Sequence, residues 1–129
     1  MRTTRTGQAL LHGEVTGAIL RSAHAVHNIL GCGLPEKVYE NALVWELTLD
    51  GRKANRQVEF PVIFREKNVG LYCADIVVDE VVIVEVKAVD AITDAHRAQL
   101  LNYLRISGLR VGLLINFAKP RLEYERLVV

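Results

Sequence analysis

Cysteine is scarce in this chain. Only Cys32 and Cys73 occur, far apart and in no CxxC arrangement, which argues against both a disulfide framework and a thiolate zinc cluster. Both are expected to be reduced. An excess of one charge is also missing: 16 Lys and Arg face 15 Asp and Glu. No global field of the kind that coats nucleic acid is available, so any such contact must be local. No apolar run approaches the roughly 20 residues of a membrane span. The apolar stretch after Arg2 and Arg5 is broken by His12, Gly13 and Glu14, too short for a signal-peptide core, so a soluble, reducing, cytoplasmic setting with no membrane partner is the expectation. Internal repeats, low-complexity stretches and linkers are absent as well.

What remains is a chain of 129 residues, half of them apolar, enough for one buried core and too short for two ordinary domains. One domain over 1–129 is expected. Val15, Ile19, Val26, Ile29 and Leu30 recur at helical spacing until Gly31 and Gly33, predicting an amphipathic helix over about 13–31. Pro35 suits the first turn of a second helix, which Val38, Ala42, Leu43, Trp45, Glu46 and Leu49 carry to Asp50-Gly51. From Arg56 the period changes to two. Val58, Phe60, Val62 and Phe64 alternate with Gln57, Glu59, Pro61 and Ile63, and Pro61 marks an edge or a bulge. Lys67-Asn68-Val69-Gly70 reads as a turn, and the runs 71–78 and 81–89, separated by Asp79-Glu80, complete a three-stranded meander. Thr93 or Asp94 caps a helix through Ala95, Ala98, Leu101 and Leu104 to Ser107-Gly108. The apolar run 110–116 has the look of a buried strand, and 122–128 of a last one.

Three charges interrupt this pattern where Val, Ile or Leu would be expected: Asp75, Glu85 and Lys87. An unpartnered buried charge costs several kcal/mol, so the three imply mutual pairing or a metal. Alternation places Glu85 and Lys87 on one face, and Asp75 with Cys73 and Val77 on one face of the preceding strand. A two-residue loop at Asp79-Glu80 would leave Asp75 and Glu85 on opposite sides, whereas a three-residue loop or a bulge sets them opposite each other. The second register is the one predicted. Paired carboxylates on rigid strands suit Mg²⁺ or Mn²⁺, and one water that such an ion keeps would be the nucleophile. Lys87 could orient that water and offset charge on a scissile phosphate.

An ExK pair alone is commonly a solvated salt-bridge face. Here His96, Gln99 and Tyr103 share a stripe of the following helix that could lean over the carboxylates, where an amide and a phenol could hold a phosphate or a water. Taken singly, Tyr103 reads as a core residue and His96 as a helix-surface one. Glu36, in the first turn of its helix, is open to two readings, functional group or dipole partner. His24 and His27 read as surface residues rather than ligands, and Arg52, Lys53, Arg56, Lys119 and Arg121 as solvated loop cations.

Together these residues resemble a known pattern. Gly33-Leu34-Pro35-Glu36-Lys37-Val38-Tyr39 is similar to the signature of the GxxExxY family of small bacterial proteins. Ala74-Asp75, Glu85-Val86-Lys87-Ala88, His96 with Gln99-Leu100 and Tyr103-Leu104, and Gly112 to Phe117 look like its later blocks, in order. That family is grouped with the PD-(D/E)XK nucleases, and Gln99 with Tyr103 is similar to the QxxxY motif of the RecB-type members. The resemblance implies an α/β, restriction-endonuclease-like core, a central mixed β-sheet flanked by helices, and the order α-α-β-β-β-α-β-β read from the residues fits it. It implies Asp75 and Glu85 as metal ligands, Glu36 reaching the metal directly or through water, Lys87 as the catalytic lysine, and Gln99 with Tyr103 in support. Ala74 departs from the superfamily's proline, and Ala118 from an expected glycine.

The expected function is a Mg²⁺- or Mn²⁺-dependent nuclease acting on nucleic acid, DNA first, alone or as a homodimer. So small a core has little surface for reading sequence, so weak or structure-directed specificity, or targeting by a protein partner, goes with it. A nuclease-fold module that binds nucleic acid or protein without turnover is one alternative. A dimeric, junction-resolving endonuclease is the other.

Overall fold

The computed structural model describes residues 10–129, so the N-terminal stretch weighed above as a leader begins outside the described residues. Helices α1 (Gly13–Leu30) and α2 (Glu36–Leu49) precede strands β1 (Ala54–Phe64), β2 (Lys67–Val78) and β3 (Val82–Lys87). Helix α3 (Asp94–Ser107) then crosses to β4 (Val111–Asn116), and β5 (Glu123–Val128) ends the order. The five strands lie side by side in sequence order; all neighbours are antiparallel except β3 and β4, which the α3 crossover makes parallel. This is the mixed, helix-flanked sheet and the element order expected.

Two apolar layers explain the strand sequences. Ile19, Leu43 and Leu47 of the helix pair pack on Val82, Val84 and Leu113, while Leu100 and Leu104 of α3 pack on Ile83 and Leu114 from the other side. With both faces covered, β3 and β4 read as nearly continuous apolar runs. Each such leucine contributes about 2 kcal/mol through burial. Gly112 sets the approach of α3: a Cβ there would stand 3.0 Å from both terminal methyls of Leu100. Among the described residues, no helix is long and apolar enough to cross a membrane.

Local details fix the ends. Tyr39 is fully buried, stacks on Phe117 with ring centroids 4.6 Å apart, and donates to the Gly31 carbonyl at 2.6 Å while accepting from the Leu34 amide. It thereby ties the turn before α2, where Gly33 takes φ 103°, to the core. Thr93 caps α3 by accepting from the His96 amide, and His96 Nδ1 accepts from the Thr93 amide in return. Its imidazole is thus a capping group, not a ligand poised over the sheet.

Several readings of the sequence are corrected. The turn of the first hairpin is Arg65-Glu66, both at positive φ, and Asn68 to Gly70 instead form a bulge opposite Val62-Ile63. Pro61 does sit on an edge strand beside that bulge. The buried stripe of α2 is Tyr39, Leu43 and Leu47, one to the side of the predicted one, so Val38, Trp45 and Leu49 are exposed. On α3 the packed residues are Leu100 and Leu104, not the alanines. His27 is buried, its Nε2 2.8 Å from the Lys119 carbonyl, because it lies on the same face of α1 as Ala23. Arg52 and Arg56 are not free loop cations: Arg52 bridges Glu14 and Asp79, and Arg56, though exposed, binds Glu40.

Candidate active site

Three residues, Asp79-Glu80-Val81, join β2 to β3, with Asp79 and Glu80 at positive φ, and the pairs Val78↔Val82, Val77↔Ile83 and Ile76↔Val84 follow. That register sets Asp75 against Glu85, as the longer loop requires. The backbone ladder ends there and side chains take over. The Asp75 amide donates to Glu85 Oε2 at 3.2 Å, and the Val86 amide donates to Asp75 Oδ2 at 2.9 Å. Beside this point Gln57 of β1 takes φ 53° and drops out of its ladder. Strict alternation fails across Asp75: Ala74 and Val77 pack in the α3-side layer and Ile76 in the other, so the predicted common face of Cys73, Asp75 and Val77 does not form.

The electrostatics follow from burial. Glu85 is 6% exposed, and desolvation, then the nearby Asp75 charge, push its pKa up to about 7 despite hydrogen bonds from Tyr72 and the Asp75 amide and the field of Lys87. Desolvation also raises Asp75 above the ordinary carboxylate range; the Val86 amide opposes this, Glu40 and Glu36 add to it, and Lys87 again opposes it. Two half-desolvated carboxylates side by side are a site short of positive charge.

Lys87 lies two residues beyond Glu85 and acts on both carboxylates through its field, without forming a direct ion pair among the described residues. Glu36 opens α2, where an acidic group suits the helix dipole, and its Oε2 accepts from the Ala88 amide at 3.0 Å, just past the end of β3. Tyr103 stacks on Tyr72, and Gln99, one turn earlier on α3, is exposed. Among the described residues no three His, Cys, Asp or Glu side chains are arranged to hold a metal ion. Asp75 and Glu85 converge, and Glu36 stands near them without closing a three-carboxylate set.

The donor chemistry nonetheless fits a hard cation. One oxygen of each carboxylate takes the backbone bonds just described, while Asp75 Oδ1 and Glu85 Oε1 accept no hydrogen bond from the described residues. Two carboxylate oxygens carried on rigid strands suit an ion such as Mg²⁺ that keeps most of its waters. The site is an open fork at the sheet. A cavity of about 330 Å³ lined by Arg97, Glu123 and Tyr124 contains neither carboxylate.

Three contributors escape a reading by sequence. Tyr72 donates to Glu85 Oε2 at 2.8 Å. Glu40, 3% exposed, accepts from Arg56 Nε and from Gln57 Nε2 beside Asp75. Its spacing of four from Glu36 was the available signal, since both lie on one face of a helix. Asn116 is fully buried and satisfies four groups: Oδ1 accepts from the Val89 and Ala118 amides, and Nδ2 donates to the Val89 carbonyl and Glu123. It anchors the segment that follows Lys87.

A family model described as the PD-(D/E)XK nuclease superfamily matches residues 13–127. The chain belongs to that superfamily. Asp75, Glu85 and Lys87 stand in the order of its name, with Ala74 where the name has proline. The crystal structure of SSO0001 shares the fold of this PD-(D/E)XK chain, with a TM-score of 0.54 at 19% identity over 91% of it. The chain spans 58% of the length of that protein. No curated protein matches the sequence.

Proposed function

We propose that this chain is one PD-(D/E)XK domain of the GxxExxY group that hydrolyses phosphodiester bonds of nucleic acid, DNA foremost, with Mg²⁺ or Mn²⁺. The observation that carries this reading is the fork itself, where Asp75 and Glu85 replace the backbone ladder and each keeps an oxygen with no hydrogen-bond partner among the described residues. The bound cation would polarise the phosphate and acidify a water. Asp75 and Glu85 would hold it. Lys87, whose field already reaches both, orients the attacking water and offsets charge building on the phosphate. Glu36 fixes the end of β3 through Ala88 and would add its negative charge beside the pair that holds the cation.

Calorimetry with Mn²⁺ on the full chain and on Asp75→Asn, paired with cleavage of single-stranded, duplex and branched DNA, tests the proposal. The wild type should bind and cut. Asp75→Asn, which can still accept from Val86, should lose activity at least about a hundredfold. Binding without cleavage of any substrate would make the chain a binding module, and no binding would remove the metal reading.

A further inference from the structure

Tyr72 is 6% exposed, and a phenol so buried needs a partner for its hydroxyl. Its partner is Glu85 Oε2, thirteen residues away along the chain and 2.8 Å away in space. The same oxygen accepts the Asp75 amide at 3.2 Å. Two donors on one oxygen fix the rotation of the carboxylate and leave Oε1 as the atom for a cation. The phenol is itself held, with its ring 3.5 Å from that of Tyr103 at an interplanar angle of 14° and 6.0 Å from that of Phe60 at 18°. A line of contacts therefore runs from Tyr103, by stacking to Tyr72, and by hydrogen bond to Glu85.

We infer that Tyr72 is the positioning residue for Glu85, and that Tyr103 acts on the site through the ring of Tyr72 rather than by touching the reacting atoms. This rests on the metal-dependent reading above. Outer partners of metal-ligating groups typically matter about 10- to 100-fold in affinity, because they preset the ligand orientation. The Tyr72 hydroxyl should be such a partner, and the Tyr103 hydroxyl should not.

Mn²⁺ calorimetry and thermal melting on the full-length wild type, Tyr72→Phe, Tyr103→Phe and Tyr103→Leu separate these roles. Tyr72→Phe keeps the ring and loses the bond, so its Kd should rise about tenfold with a melting temperature within a few degrees of wild type. Tyr103→Phe keeps the stack and should stay within about threefold, whereas Tyr103→Leu, which frees the Tyr72 ring, should weaken binding toward the Tyr72→Phe level. Wild-type affinity in Tyr72→Phe, or an equal loss in Tyr103→Phe, would overturn the inference while leaving the metal reading intact. A wild type that takes up no Mn²⁺ would sink both.

Discussion

From Val78 to Ile76, β2 meets β3 in three consecutive backbone pairs, all of buried valine or isoleucine. One residue further, at Asp75 and Glu85, the same two strands are joined only through carboxylates. The paired end is satisfied by neighbours it would have in any sheet of this kind. The forked end exchanges ladder bonds for charge that the fold does not neutralise, so the site is held by the apolar end and strained by its own like charges. Stability and chemistry thus occupy adjacent residues of one strand pair and should respond to different perturbations.

Breaking the apolar end should have the largest effect on stability. Ile83→Ala, at a fully buried position against α3, should cost about 3 kcal/mol in urea unfolding, with Mn²⁺ affinity of the folded fraction unchanged. A loss of metal affinity at full folding would erase the distinction between the two ends.

The forked end should show itself through pH. Because the folded pKa of Glu85 is raised to about 7, the folded state binds that proton more tightly than the unfolded chain does. The contribution of Glu85 to stability without metal is then fullest below the ordinary carboxylate pKa and is lost as pH rises toward 7, by on the order of 2 kcal/mol. Asp75, shifted the same way, adds to the slope. Glu85→Gln should flatten the profile and melt above wild type at pH 8 in the absence of metal. A wild-type curve that rises between pH 5 and 8 would contradict this account of the fork.

A smaller effect tests the packing behind both ends. Gly112→Ala pushes a methyl against Leu100, whose flexible end can yield in part, so about 1 kcal/mol of destabilisation is expected in the same unfolding assay. No change at all would mean that α3 is looser on the sheet than its contacts imply.

Much of this was legible along the chain. Helical spacing before Gly31 and the change to a period of two after Arg56 gave the element order, because both depend on residues within a few positions of one another. The turn at Arg65-Glu66 was hidden because neither residue is a usual turn former, while Asn68 and Gly70 advertise a turn and instead make a bulge. The stripe of α2 was misread for a related reason: apolar residues line more than one face of that helix, and the sheet buries only the one carrying Tyr39.

The sequence by itself determined which strands carry charge where apolar residues belong, and so named Asp75, Glu85 and Lys87 as a group. Only the tertiary structure decided that the ladder stops at Ile76↔Val84, that Tyr72 holds Glu85, and that Glu40 stands beside Asp75 with Arg56 and Gln57. The physical reason is that composition and local period report on burial, which each residue carries with it. A hydrogen bond between strands depends on register and on where the backbone parts, and those are set by the packing of the whole sheet between its helices.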